Sequence, residues 1–138
     1  MHSYYQPDLE CMPREDMTSL QNERLTRQVR RVYETVRYYR DLMDKASVKP
    51  GDVRSVEDLH KLPFLSKSDL REAYPDGLLA VPQEDVVRIH STSGTTGKRV
   101  VAFHTREDID IWEECAARAL TAIGATSRDV VQVSYGYG

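Results

Sequence analysis

Cysteine is scarce in this chain, and no long apolar run is present. The 138 residues include only two cysteines, which stand far apart at Cys11 and Cys115, without a CxxC pair or a histidine-rich neighbour. This spacing argues against a zinc site and against a disulfide framework, so we interpret both side chains as reduced thiols. No stretch approaches the ~18 apolar residues of a membrane span, and the first residues lack the pattern of a signal peptide. We therefore expect a cytoplasmic protein outside the membrane.

An excess of either charge is also missing. The chain has 19 Lys and Arg against 22 Asp and Glu, a formal net charge of -3. A global field that would attract nucleic acid or an anionic membrane is therefore not expected. Arginines are frequent between residues 24 and 40, but Glu23 and Glu34 are interleaved with them, which favours a solvated helix face over a nucleic-acid patch. Any binding of an anion must be local.

The first two thirds of the sequence indicate helices. Residues 1–16 carry two prolines and no periodicity, so we predict an irregular lead, followed by a helical segment over residues 17–85. Thr18 to Gln21 has the form of a capping box, which predicts one long helix from there to about Ala46. Its apolar stripe lists as Leu25, Val29, Val32, Val36, Tyr39 and Met43. Two short helices are expected after Ser55 and Ser66.

Residues 86–138 have strand character. Two apolar runs, residues 86–90 and 100–104, predict a hairpin, because a polar connection separates them. Thr105 then caps a helix that Gly124 should end. The helix's predicted apolar face comprises Ile109, Trp112, Ala116, Leu120 and Ile123. Residues 130–133 suggest a further strand, and the chain stops directly after it, so we expect an α/β domain that is truncated.

The connection of the hairpin has the composition of a phosphate-binding loop. It reads Ser91-Thr92-Ser93-Gly94-Thr95-Thr96-Gly97-Lys98. Glycines allow the backbone N–H groups to approach an anion, hydroxyls donate hydrogen bonds, and lysine supplies positive charge. A flexible linker is the alternative that composition alone permits. A Walker A loop does not fit, because two residues instead of four separate Gly94 from Gly97 and because Arg99 replaces the Ser or Thr.

This connection also resembles a known family. Residues 93–98 are similar to the phosphate loop of the acyl-adenylate-forming superfamily, whose pattern is S/T-S-G-S/T-T-G-x-P-K. The resemblance narrows to the phenylacetate-coenzyme A ligase family through flanking residues and upstream segments. These are Arg88-Ile89-His90, Thr105 with Asp108 and Trp112, the final Tyr135-Gly136-Tyr137-Gly138, and Leu62 to Leu70. Two departures stand out: Arg99 replaces the proline of the pattern, and Val100 replaces its last lysine.

The resemblance implies an N-terminal part of a ligase that uses ATP, Mg²⁺ and coenzyme A as co-substrates and cofactors. It implies a helical lead followed by the first strands and helix of the large domain, with residues 86–138 beginning the ATP-binding subdomain. By the same resemblance, ATP phosphates would contact Ser93, Gly94, Thr95, Thr96, Gly97 and Lys98. Tyr135 would border the aryl-acid pocket, although a core tyrosine at a strand end is the alternative. His90 is interpreted as structural.

The family's later segments carry its adenine contacts, its magnesium ligand and its catalytic lysine, so no catalytic or metal-binding residue is assigned to these 138 residues. We expect the chain alone to be inactive. Its expected partners are a small aryl acid, ATP and coenzyme A, not nucleic acid, and uncovered strand edges would allow a homodimer. Two alternatives stay open: a ligase or adenylyltransferase for another acid or acceptor, and a non-catalytic nucleotide-binding module.

Overall fold

The computed structural model describes residues 4–92 and 99–134. In chain order the described elements are α1 (Pro7–Glu10), α2 (Arg14–Thr35), α3 (Arg37–Lys45), two 3₁₀ turns (Pro50–Asp52 and Val56–Lys61), α4 (Lys67–Glu72), a third 3₁₀ turn (Gln83–Asp85), β1 (Arg88–Ser91), β2 (Val101–His104) and α5 (Arg106–Ala122). Helices therefore dominate the first two thirds, and one two-stranded antiparallel sheet follows.

The single long helix that the apolar stripe predicts is wrong, because the chain bends at Val36. That residue has extended backbone angles, φ -113° and ψ 103°, and is only 2% exposed. Arg40 stabilises the bend by donating hydrogen bonds from Nε to the Tyr33 carbonyl at 2.8 Å and from Nη2 to the Glu34 carbonyl at 2.5 Å. These carbonyls lie in the last turn of α2, where helical partners are missing. The apolar residues keep a helical spacing in sequence across the bend because they are buried on both sides of it, although the helix itself is interrupted.

The start of the helical part also differs from the sequence-based expectation. The lead, predicted to be irregular, contains α1, and α2 already begins at Arg14. Thr18 does not cap the helix. Its hydroxyl donates to the Arg14 carbonyl at 2.9 Å, a bond typical of threonine inside a helix. The division into residues 1–16, 17–85 and 86–138 otherwise stays a prediction.

A small apolar core joins α2, α3 and the turn after them. Val29, Met43, Val48 and Val53 are each at most 9% exposed and form one cluster. Leu25, Tyr33 and Leu62 pack against this cluster as half-buried neighbours. The chain reaches Val48 through Ser47, which adopts a positive φ of 57° and lets the Val48 N–H bond back to the Met43 carbonyl at 2.9 Å. This helix ending directs Val48 into the core.

Polar contacts across long sequence separations hold the helical part together. The Tyr38 hydroxyl donates to Asp69 at 2.8 Å, 31 residues away, and ties α3 to α4. The Val56 N–H donates to the side-chain carbonyl of Asn22 at 2.9 Å, which fixes the second 3₁₀ turn to α2. Tyr38 therefore lies against a neighbouring element.

The predicted short helices after Ser55 and Ser66 are present. Ser66 caps α4 by accepting a hydrogen bond from the Asp69 N–H, and Asp69 accepts one from the Ser66 N–H at 2.6 Å. At the second 3₁₀ turn, the Asp58 carboxylate accepts a hydrogen bond from the Ser55 N–H at 3.1 Å. Each pair satisfies donors that would otherwise lack a partner at the start of a helix.

The predicted hairpin and the helix after it are confirmed. β1 and β2 pair antiparallel, with Ile89 opposite Phe103 and Ser91 opposite Val101. Thr105 caps α5, and Gly124 follows the helix with a φ of +92°. The predicted burial of one α5 face is only partly correct, because Ile109 is 3% exposed whereas Ile123 is 81% exposed.

The predicted strand over residues 130–133 is absent. These residues form no described ladder, and Val130 is 99% exposed. A strand requires a partner for its backbone N–H and C=O groups, and no described segment pairs with this one. The described residues thus form a helical bundle with a two-stranded sheet, which is compatible with part of an α/β domain.

We predict that Val53→Ala lowers the free energy of unfolding by about 2 kcal/mol, because it removes two buried methyl groups and leaves a cavity. Val53 is 1% exposed. Chemical denaturation followed by circular dichroism measures the change. Val87→Ala is the control, since Val87 is 50% exposed and should change the free energy little. Equal effects of the two substitutions would contradict the assigned core.

We predict that Asp69 stabilises the fold above pH 4 and that this stabilisation is lost in acid. The hydrogen bonds from the Ser66 side chain and backbone, and then from Tyr38, lower the Asp69 pKa from 3.8 to about 2. A carboxylate with a lowered pKa contributes fully above its unfolded-state pKa and stops contributing as pH falls through the folded-state pKa. The difference in stability between wild type and Asp69→Asn should therefore be constant from pH 5 to 7 and shrink below pH 4.

Asp41→Asn is the matched control for this experiment, because Asp41 is an exposed helical carboxylate whose only described ion pair is a 3.6 Å contact with Arg37. Urea titrations at each pH give the measurement. A difference between wild type and Asp69→Asn that grows in acid would contradict the prediction.

Candidate functional site

The residues predicted to bind substrates lie outside the part of the chain that the structure describes. This holds for the phosphate-binding residues Ser93, Gly94, Thr95, Thr96, Gly97 and Lys98, and for Tyr135 of the predicted acid pocket. Their roles stay predictions. The structure does describe the two strands on either side of residues 93–98, β1 before them and β2 after them.

The ends of β1 and β2 close the base of the connection that carries residues 93–98. The Thr92 N–H donates to the Val100 carbonyl at 3.0 Å, and the Val100 N–H donates to the Thr92 hydroxyl at 3.1 Å. Ser91 and Val101 form the last pair of the strand register. Thr92 and Val100, eight positions apart in sequence, are therefore held side by side. The described residues on either side of residues 93–98 are thus paired by hydrogen bonds.

Three aromatic rings pack beside this base. The ring centroids of His90 and His104 are 4.9 Å apart, those of His90 and Trp112 are 5.3 Å apart, and those of His104 and Trp112 are 5.7 Å apart. The strand register explains the histidine pair, because His90 lies opposite Ala102 and His104 opposite Arg88, so both lie on the same face. We call these three residues the ring cluster. It connects both strands to α5.

The start of α5 is fixed immediately after β2. The Thr105 N–H and hydroxyl both donate to the Asp108 carboxylate at 2.8 Å, and the Thr105 hydroxyl accepts from the Asp108 N–H at 3.2 Å. The backbone bond from Thr105 is the main cause of a lowered Asp108 pKa, and the charges of His104 and Arg31 lower this pKa further. Asp108 is therefore a carboxylate at neutral pH and holds the first turn of the helix.

A cleft of about 290 Å³ lies between α2 and the other side of the hairpin. Apolar walls come from residues such as Leu79, Val86 and Phe103, and Arg31 and Asp108 add one charge of each sign. Because these two charges are opposite, together they give the cleft no net charge. It lies beside β2, whose residues Val101, Ala102 and Phe103 line it.

Within residues 4–92 and 99–134, no group of three or more His, Cys, Asp or Glu side chains is placed to hold a metal ion. The described cysteines, Cys11 and Cys115, are free and exposed. In the same part of the chain, no helix combines the length and the apolar character that crossing a membrane requires.

Sequence reasoning missed two features of this region. Thr92 closes the hairpin base through its hydroxyl, and the available signal was its place two residues beyond the predicted strand over residues 86–90. His104 joins His90 on one face, which follows only once the strand register is known. The position of Trp112 on α5 was assigned to a buried face, but its side chain is 49% exposed and contacts the two histidines.

Comparison with known proteins identifies close relatives. The chain is 50% identical over 134 residues to a phenylacetate-coenzyme A ligase of Thermus thermophilus, which covers 97% of this chain and 30% of the relative. It is 45% identical over 130 residues to a phenylacetate-coenzyme A ligase of Aromatoleum evansii, covering 94% of this chain and 30% of that protein. The chain thus spans about 30% of the length of these curated relatives. No family model matches the chain.

The fold has a solved counterpart. A crystal structure of 2-hydroxyisobutyryl-CoA ligase, in an open conformation with 2-HIB-AMP and CoA, superposes with a TM-score of 0.80 at 26% identity. The superposition covers 88% of this chain and 29% of that one. Sequence identity across nearly the whole chain and the shared fold agree: over its own length, the chain is similar to the phenylacetate-coenzyme A ligases.

Proposed function

We propose that this chain supplies the ATP-phosphate-binding part of an AMP-forming ligase that joins phenylacetate, or a similar aryl acid, to coenzyme A. The observation that carries the proposal is the 50% identity over 97% of the chain to a phenylacetate-coenzyme A ligase. The solved 2-hydroxyisobutyryl-CoA ligase with its bound acyl-adenylate and CoA supports the same two-step chemistry.

In the first step, a carboxylate oxygen of the acid attacks the α-phosphorus of ATP. The bond between the α-phosphorus and the bridging oxygen breaks, and pyrophosphate leaves with the electron pair. In the second step, the thiolate of coenzyme A attacks the acyl carbon and AMP leaves. Charge therefore accumulates on the leaving pyrophosphate, where fixed donors accelerate the reaction most.

Residues 93–98 are the donors that we assign to this task. Ser93, Thr95 and Thr96 carry hydroxyls, Lys98 carries an ammonium group, and the two glycines have no side chain that would hinder approach to the backbone. The hydrogen bonds between Thr92 and Val100 support the assignment, because they hold both ends of this short segment together. Arg99 in place of the usual proline leaves the segment with fewer fixed backbone angles.

Magnesium normally accompanies ATP and neutralises part of its phosphate charge. The described residues contain no cluster that fits a metal ion, so we assign no ligand for magnesium to them. Tyr135 remains our proposed contact to the aryl acid, since alternating tyrosine and glycine would leave space for a ring.

A ligase for another carboxylic acid is the second candidate. The observation that favours it is the fold likeness to an enzyme whose name specifies 2-hydroxyisobutyrate, a small aliphatic acid. Phenylacetate-dependent exchange of pyrophosphate into ATP separates the candidates, with benzoate and 2-hydroxyisobutyrate as comparison acids. The protein tested is the product of the longest reading frame that contains these residues. Selective exchange with phenylacetate supports the first candidate, and selective exchange with another acid contradicts it.

We predict that Lys98→Ala in that product lowers the exchange rate about 100-fold, the effect typical of removing one donor to a developing charge. The control is Lys67→Ala, because Lys67 is an exposed lysine at the start of α4. Both variants are assayed at saturating phenylacetate over a range of ATP concentrations. Equal rates for the two variants would remove Lys98 from the proposed site.

We predict that the 138-residue chain alone forms no phenylacetyl-CoA. It matches about 30% of the length of the ligases it resembles, and none of its residues is assigned to adenine, to ribose or to acid–base chemistry. Chromatographic detection of the thioester after incubation with ATP, magnesium, phenylacetate and coenzyme A is the test. Catalytic turnover by this chain would contradict the prediction.

A further inference from the structure

The hairpin formed by β1 and β2 has little support from its own burial. Both strands are four residues long, and every residue of β1 is exposed. An isolated two-stranded hairpin is marginally stable in water and requires packing against another element. Among the described elements, α5 packs against this hairpin, and it follows β2 after a single residue.

The ring cluster connects α5 to both strands at once. Trp112 contacts His90 of β1 with ring planes inclined by 75°, and contacts His104 of β2 with planes inclined by 36°. The centroid separations fall within the range of about 4.5–7 Å in which aromatic pairs attract each other. The cap formed by Thr105 and Asp108 fixes the helix turn that precedes Trp112. The indole is therefore held by the helix and reaches across the hairpin.

The ring cluster lies close to the end of β1 that precedes Thr92. His90 lies two residues before Thr92, whose N–H and hydroxyl make the last described bonds between the strands. The ladder with β2 and the contact with α5 both hold that strand. Because β1 has no buried residue, loss of the Trp112 contact should loosen its free end.

We infer that Trp112 is a positioning residue, which packs against His90 and His104 and thereby keeps Thr92 and Val100 paired at the base of the connection. The role in catalysis rests on the proposed function, since residues 93–98 begin and end at this base. The pairing itself does not depend on that function and is tested separately.

Amide hydrogen exchange by NMR on the 138-residue chain tests the pairing. We expect Trp112→Ala to accelerate exchange at the Thr92 and Val100 amides about tenfold, the change that loss of aromatic contacts predicts. The Val48 amide, which bonds to the Met43 carbonyl in the helical part, should not change. Trp112→Phe keeps a ring at this position and should restore most of the protection.

Ile111→Ala is the matched control, because Ile111 is the neighbouring residue of α5 and is 52% exposed, close to the 49% of Trp112. Unchanged exchange at Thr92 and Val100 in Trp112→Ala would overturn the inference. So would equal acceleration in Ile111→Ala, which would indicate a general weakening of α5.

The kinetic test uses the product of the longest reading frame. In pyrophosphate exchange, Trp112→Ala should raise the KM for ATP about tenfold, since displaced donors bind the phosphates less well. The kcat should change less, and Trp112→Phe should recover the KM. A wild-type protein without exchange for any acid contradicts the proposed function, whereas an active wild type and an unchanged KM in Trp112→Ala contradict the positioning role.

Discussion

The bend at Val36 is the constraint on which the helical part depends. If α2 and α3 formed one straight helix, Val29 and Met43 would be separated by about 21 Å along the axis, at 1.5 Å per residue. The bend brings both into one cluster with Val48 and Val53. Arg40 stabilises the bend because it donates hydrogen bonds to two carbonyls at the end of α2, which would otherwise lack partners. Burial of Val36 and capping by Arg40 thus act at the same place.

The two parts of the structure are stabilised by different interactions. Of the six buried apolar residues in the described part of the chain, five lie from Val29 to Val53, and Ile109 is the sixth. The helical part therefore has an apolar core, and long-range hydrogen bonds such as that between Tyr38 and Asp69 reinforce it. The hairpin and α5 depend on backbone pairing, on the Thr105 cap and on ring contacts. Such contacts specify orientation well, but each contributes little free energy on its own.

Local signals in the sequence predicted the elements whose ends are fixed by neighbouring residues. Ser66 with Asp69 and Thr105 with Asp108 are reciprocal caps within three residues, so helix starts there follow from short patterns. The hairpin followed from two β-branched runs around a polar connection. The bend at Val36 could not be predicted in this way, because it depends on an arginine four residues later and on burial by other elements. Dependence on other elements also explains why the valines of residues 130–133 predicted a strand that is absent: strand propensity is realised only when a partner strand is present.

The candidate site shows the same division. Residue types at positions 93–98 were sufficient to suggest phosphate binding, and the resemblance to a ligase family agreed with the relatives found by comparison. The ring cluster was not predictable, since the pairing of His90 with His104 requires the strand register and the contact with Trp112 requires the placement of α5.

The concentration of buried contacts in the helical part has a consequence for the order of folding. All four residues of the apolar cluster, and the segments that Asn22 and Tyr38 join by hydrogen bonds, lie before residue 70. Synthesis proceeds from the N-terminus, and units that contain their own contacts fold as they emerge from the ribosome. The helical part can therefore form its core before β1 and β2 have been synthesised, and the hairpin then folds onto a surface that already exists.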